Sequence, residues 1–417
     1  MNHPLLHENR ARFDALQLLA VAGLAVVSVL FVYSATMVNE PVGVLQMFRE
    51  NSLVQFLGWL SHQLFFRQMI WLTGGAAAAV ALCVVNYHSL SRWAFVAYWA
   101  AIGALIAVLI PGIGQMRFGA RRWIDFGVFQ FQPSEFAKLA FIAAMAHFLS
   151  RPQDELRQPK IFWQAIGLMA LPFALVMKEP DLGSALMFLL TGAVMLFVAG
   201  APRRYLARLG GAAFLLVALL VADVLFLPAK SNWSLKLHDY QRQRLLTYFG
   251  KDYAEKNATP AEKKLARELQ AQRNYQGKQA LISVGSGGFV GKGWLQGNQT
   301  ALGFLPRGAA HNDFIFSVIA EEEGFVGSLL VLTLYAVVLF SGIRIAGQAR
   351  DRLGKLLAAG VVALLFSHVF VNIGMNIRLM PVTGVPLPLL SYGGSAVLCS
   401  LIAIGILQNI HIHRKGY

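Results

Sequence analysis

The chain has 417 residues, 56% of them hydrophobic and only 14% charged, against about a quarter charged in soluble globular domains. That excludes an ordinary soluble domain, and at roughly 20 apolar residues per crossing it leaves room for about ten membrane spans. The net charge of +15 points to anionic lipid or phosphate without choosing between them, and two cysteines, Cys83 and Cys399, both inside apolar runs, are too few for a disulfide framework.

Residues up to Asp14 are polar with two arginines, and the apolar run behind them is long enough to span, so no cleaved leader is predicted. Apolar runs set against polar breaks predict spans at Ala15 to Ala35, Met69 to Val85, Ala94 to Ile110, Ser134 to Leu149 and Ile161 to Met177. Five more follow at Gly183 to Val198, Leu209 to Leu227, Gly324 to Ser341, Leu356 to Met375 and Tyr392 to Ile410. The expectation is an all-α polytopic membrane protein, one domain over 1–417. Basic residues in short loops orient it. With the N-terminus inside, Arg92, Arg151, Arg203, Arg204, Arg208, Arg350 and Lys355 belong to an inner set that outnumbers the outer set, which includes Arg67, by about two to one. Both termini are then cytoplasmic. Arg117, Arg121 and Arg122 fall on the disfavoured outer side, where basic residues call for a bound anion or a carboxylate partner.

The one long hydrophilic segment, 228–310, lies between spans seven and eight and is expected outside the membrane. It carries thirteen basic against five acidic residues. Within it, Pro260 to Gln272 reads as a short surface helix with a solvated, charged face. Ser283 to Gly297 (SVGSGGFVGKGWLQG) then turns glycine-dense around a single lysine. Two readings stand: a loop whose backbone N–H groups approach a phosphate with Lys292 as a point charge, or a plain re-entrant or surface loop. The spacing is not that of a Walker loop.

His311-Asn312-Asp313 precedes an apolar run and sets a lone carboxylate at the outer end of a span. Half removed from water, Asp313 holds a proton more readily, which suits a general base; as Asp before an apolar run it equally suits a helix N-cap. Glu135 and Lys138 stand at i and i+3 on one helix face and are read as a structural ion pair. Lys178, Glu179 and Asp181 form another outer cluster, in which Asp181 can cap the next helix. Near the C-terminus, NIGMNIR runs into LMPVTGVPLPLLSYGG, whose three prolines and three glycines forbid a straight helix. Irregular backbone at membrane depth survives only where protein or a cavity covers it, so this segment is expected to line an outward-facing cavity.

The tracts RWIDFGVFQFQPSEFAKLA, EPDLGSALMFLLTGAVMLFVAG, DYQRQRLLTYF, HNDFIFSVIAEEEGFVG and LMPVTGVPLPLLSYGGS together resemble the SEDS proteins (shape, elongation, division and sporulation), with TGVPLP like the rod-shape branch. The match runs in order from about Trp123 to the C-terminus. The resemblance implies a ten-helix inverting glycosyltransferase on the outer face of the bacterial inner membrane. It would polymerise lipid II during elongation, joining the 4-hydroxyl of one GlcNAc to the MurNAc anomeric carbon of a chain on undecaprenyl diphosphate.

By the same resemblance Asp313 is the catalytic acid of the family's motif, with Asn312 in place of its usual threonine. Lys292, Arg242, Arg244, Arg121, Arg122 and Asp181 are expected at the substrate, and Glu135 with Lys138 as the structural or regulatory pair. No metal ligand set is committed, although a divalent cation such as Mg²⁺ remains open. The implied partners are lipid II, the growing lipid-linked glycan, a class B penicillin-binding protein, other elongation-complex membrane proteins and membrane lipid, with no nucleic acid. A flippase for lipid-linked precursors and a non-catalytic scaffold are the competing readings.

Overall fold

In lipid, backbone polar groups have no water to bond, so long apolar stretches have helix as their natural solution. All ten predicted stretches fall on helices in the computed structural model, which describes residues 13–37, 53–117, 120–127, 129–226, 242, 245–246, 248–250, 260–305 and 307–414. They are α1 (Ala15–Met37), α3 (Leu64–Val84), α5 (Ala94–Leu109), α6 (Pro133–Leu149), α7 (Pro159–Lys178), α8 (Leu182–Val198), α9 (Arg203–Phe226), α11 (Ile315–Gln348), α12 (Arg352–Asn376) and α13 (Gly394–His413). Shorter α2 (Leu53–His62) and α4 (Tyr87–Arg92) flank α3, and α10 (Pro260–Ser286) precedes α11. Among the described residues seven helices are long and apolar enough to cross a membrane: α1, α3, α7, α9, α11, α12 and α13. α5 and α8 are shorter apolar helices, and α6 carries Glu135 and Lys138 in its first two turns. The chain is therefore a helical membrane protein.

The helices divide by burial. Of the apolar window of α12, 83% is buried, against none of that of α9; α12 is the hub of the bundle and α9 a peripheral, lipid-facing helix. Close contacts use small residues, as packing in lipid requires. A Cβ at Gly405 of α13 would stand 2.7 Å from the Ala79 backbone of α3, and one at Gly360 of α12 would stand 2.7 Å from Ile142 of α6. At one end of the bundle Arg352 donates to the carbonyl of Ala199 beyond α8 (2.9 Å), and the Asp351 side chain caps α12 at the Gly354 N–H.

Two features go beyond the sequence reading. A small antiparallel sheet, β1 (Gly114–Arg117), β2 (Ala120–Asp125) and β3 (Gln130–Phe131), joins α5 to α6. The charged helix predicted over Pro260 to Gln272 starts at Pro260 but runs on to Ser286, absorbing the start of the glycine-dense stretch.

The rest of that stretch explains a break in α11. Gly324 has φ 64° and ψ −155°, and a Cβ there would meet the Gly291 nitrogen at 2.3 Å; a Cβ at Gly291 would meet the Glu322 carbonyl oxygen at 2.1 Å. The two backbones touch, which only paired glycines permit. Four backbone bonds stitch them: Lys292 N–H to Glu321 O (3.1 Å), Gly293 N–H to Glu322 O (2.8 Å), Phe325 N–H to Gly288 O (2.9 Å) and Val326 N–H to Phe289 O (3.1 Å). The glycine-dense segment is spliced into the broken helix and supplies the bonds that the break removes.

Candidate active site

Several helix ends converge on one cavity of about 750 Å³: the starts of α3 and α13, the turn between α7 and α8, and the residues just before α6 and α11. Its wall includes Arg67, Trp71, Arg122, Trp123, Asp181, Asp313 and Tyr392, and its floor is the irregular segment between α12 and α13 at Gly384, Pro386 and Gly393. The Pro- and Gly-rich run is thus non-helical and lines a cavity, as its composition predicts. Gly384, with φ 74°, is where the backbone passes beside the base candidate: a Cβ there would lie 3.6 Å from Asp313 Oδ2.

Asp313 does not cap α11. Phe314 occupies the cap position, without a side-chain cap bond, and Asp313 lines the cavity. Its main chain is held tightly. Asn372 and Asn376, one turn apart on α12, both donate to the Asp313 carbonyl oxygen (3.0 and 3.1 Å), and Asn372 also donates to the Val385 carbonyl oxygen (2.8 Å). Ser391 donates to the Asn312 carbonyl oxygen (2.5 Å), and the Tyr392 N–H to that of His311 (2.9 Å). The turn bearing Asp313 is therefore clamped between the hub helix and the irregular segment. The asparagines stand at i and i+4 in the NIGMNIR tract, a polar pair on one face of an apolar helix; that spacing was the available signal.

Asp181 caps α8, accepting from the Ser184 N–H (3.1 Å) and hydroxyl (3.0 Å), and faces Arg122 Nη1 at 3.7 Å. Arg122 Nε donates to the Glu179 carbonyl oxygen (3.1 Å), and Nη2 donates to that of Pro180. The basic residue on the disfavoured side thus has its carboxylate partner and is fixed in orientation. Burial, with the Asp181 charge beside it, pushes the Glu179 carboxyl up to about 9 against the pull of Arg122. Neither Glu179 carboxylate oxygen has a hydrogen-bond partner among the described residues, which fits a neutral acid at neutral pH. Arg67, which the sequence reading used only for orientation, lines the same cavity and hydrogen-bonds the Tyr392 side chain.

Other expected site residues lie elsewhere. Lys292 pairs with the fully buried Glu321 (2.5 Å) and donates to Ser286 Oγ (2.9 Å). Glu321 also accepts from the Gln299 N–H and Ser283 Oγ, while Glu322 accepts from Ser34 Oγ and the Leu295 N–H. This lysine secures the helix splice and does not line the cavity. Arg242 faces Asp223 at 3.8 Å at the end of α9, and Arg121 is not among the cavity-lining residues. Arg244 lies outside the described residues. Glu135 and Lys138 form the expected buried pair (2.6 Å), with His368 Nε2 as an unforeseen third member 2.9 Å from Lys138 Nζ.

Comparison with known proteins gives a consistent likeness. The family profile described as "Cell cycle protein", which groups FtsW, RodA and SpoVE, matches residues 15–416. The peptidoglycan glycosyltransferase MrdB of Escherichia coli strain K12 is 35% identical over 409 residues, covering 98% of this chain and 95% of the relative. A solved structure on the structural coordination of polymerization and crosslinking by a peptidoglycan synthase complex contains a chain that is 26% identical, with a TM-score of 0.73; the match covers 97% of this chain and 99% of that one. The rod shape determining protein RodA of Thermus thermophilus is also 26% identical, at a TM-score of 0.62 over 97% of this chain and 98% of that one.

Proposed function

We propose that this chain, which belongs to the FtsW, RodA and SpoVE family, is a peptidoglycan glycosyltransferase that polymerises lipid II during cell elongation. The observation that carries the proposal is the single cavity in which Asp313 meets Arg122, Asp181 and Arg67, in a chain with a relative of that named activity over nearly its whole length. The chain would cross the bacterial inner membrane ten times with both termini cytoplasmic and the cavity on the outer face.

In this reading Asp313 takes the proton from the acceptor 4-hydroxyl. The oxygen attacks the donor's anomeric carbon from the face opposite its diphosphate. The new carbon–oxygen bond forms with inversion, and the diphosphate departs with the electron pair of the broken bond. Cationic groups held in place before the reaction stabilise that leaving charge most effectively. Arg122 is already oriented by two carbonyls and a carboxylate; Arg67, exposed at the cavity edge, is the more available cation. Lys292 supports the fold beside the site instead of meeting the phosphate.

A Mg²⁺ ion would fit only as a bridge held by substrate phosphates and one or two carboxylates, here Asp313 or Asp181, since no group of three or more His, Cys, Asp or Glu side chains suited to a metal occurs among the described residues. Bound there, it would offset charge on the diphosphate. A class B penicillin-binding protein is the proposed partner, in keeping with the polymerisation and crosslinking named for the similar synthase complex.

The test is gel analysis of glycan made from lipid II by the purified protein, with and without a candidate transpeptidase. Polymer from the wild type and none from Asp313→Asn is the expected result. Near-normal polymer from the Asn variant removes Asp313 as the base.

A further inference from the structure

A second cavity, of about 970 Å³, opens between the ends of α7 and α8 remote from Asp313 and the start of α9. Arg157, Arg203, Arg204 and Arg208 line it, together with Phe197 and Leu206. All four arginines are exposed. None has a carboxylate within ion-pair distance among the described residues; the nearby Glu155 is engaged by Arg151 at 4.0 Å. Four like charges around one concavity raise its potential and repel one another until an anion offsets them.

The surroundings indicate which anion. The 20 residues of α7 separate this cavity from the Asp313 cavity, a rise of about 30 Å that matches the hydrocarbon thickness of a bilayer. The second cavity therefore lies at headgroup depth on the opposite face. Trp163, 65% exposed in the first turns of α7, is the aromatic residue expected at that boundary. Phe197, 70% exposed, and the unburied flank of α9 continue from the cavity into the lipid region.

We propose that this cavity binds the headgroup of an anionic phospholipid from the leaflet on that face. The phosphate sits among the guanidinium groups, whose planar forks match its oxygens, and an acyl chain descends beside Phe197 along α9. A soluble phosphate would use the same arginines but gain nothing from the apolar wall.

The test is native mass spectrometry of the purified full-length protein titrated with phosphatidylglycerol, phosphatidylcholine or inorganic phosphate. The wild type is expected to retain phosphatidylglycerol over phosphatidylcholine. Basic residues at an anionic surface each contribute roughly fivefold, so Arg203→Gln with Arg204→Gln and Arg208→Gln should weaken retention by about a hundredfold. The matched control is Arg92→Gln with Arg350→Gln and Lys355→Gln. These residues lie on the same face, where Tyr87 beside Arg92 bonds Asp351, and the control should change retention by less than about threefold. A lysine version of the first triple keeps the charge and should keep most of the binding. Equal losses in both glutamine triples, loss in the lysine version, or displacement of the lipid by millimolar inorganic phosphate each overturns the proposal.

Discussion

The Asp313 cavity and the Lys292 splice both looked like chemistry in the sequence: a lone acid or lysine, glycines, and the outer end of a span. In space they differ in where their bonds go. Every polar group named around Lys292 is consumed internally, with Glu321 and Glu322 taking donors from the lysine, three hydroxyl or amide groups of the loop, and Ser34. Around Asp313 the main chain is fixed by Asn372 and Asn376, and the residue lines a cavity shared with two arginines. A fixed backbone that holds a carboxylate at a cavity wall is an arrangement that supports catalysis; a side chain whose named bonds all go to its neighbours supports structure.

The sharpest way to break this contrast is one conservative substitution on each side. Asp313→Asn should cost about 10² to 10⁴ in polymerisation rate, the usual contribution of a general base, with unchanged melting temperature and yield. Glu321→Gln should do the opposite. It strands the Lys292 ammonium and should lower stability by about 3 kcal/mol, at the low end for breaking a buried pair because the lysine is partly exposed, read as a lower melting temperature in detergent. Activity per folded molecule should hold. A Glu321→Gln protein that melts normally but makes no glycan would move the splice into the active site.

A smaller effect sharpens the description of the clamp. Asn372→Ala removes one of the two asparagine donors to the Asp313 carbonyl and the bond to that of Val385. A fall of about tenfold in kcat with KM little changed is expected, because positioning and not binding is lost. A change confined to KM would show that the asparagine serves substrate binding.

For the Glu135, Lys138 and His368 cluster, Lys138→Met alone should lower the folded yield, since it leaves Glu135 buried and charged. Adding Glu135→Gln should restore much of it. Normal yield from the single variant would reject a structural role. The remaining effect is a pH slope from Glu179. Its carboxyl, raised to about 9 in the fold, binds a proton that the unfolded chain releases near the usual carboxylate range. Its contribution is therefore complete at low pH and is lost progressively as pH rises toward about 9. Glu179→Gln should flatten the melting temperature between pH 5 and 9, and an unchanged slope would show that Glu179 is not the group responsible.

The helices were legible because an apolar run in lipid has few other options; most boundaries agree within about four residues, but α3 and α9 start five and six residues earlier than predicted and α11 extends nine residues before and seven beyond its predicted span. The sheet was not, since strands as short as Gly114–Arg117 carry no clear alternation. The kink in α11 was invisible for a different reason: the predicted span began at Gly324, so the helix before it was not foreseen, and Gly324 departs from helix where Gly291, some thirty residues earlier, lies against it. Asp313 and the broken C-terminal segment stood out in the sequence because a lone acid and clustered prolines are anomalies in a membrane chain. Arg67 drew no site reading because its charge had been spent on topology, and Lys292 drew one because a lysine among glycines looks alike whether its partner is a phosphate or a buried glutamate.

The paired asparagines have a mechanical consequence. They bolt the carboxylate-bearing turn and the cavity floor to α12, the most enclosed of the spanning helices, so Asp313, the proposed base, belongs to the stator of the machine. In a polymerase built this way the glycan must advance past a stationary carboxylate by one repeat per bond formed. Compliance for that step has to come from elements less enclosed than α12, such as α3, whose apolar window is 17% buried and whose first turns line the cavity.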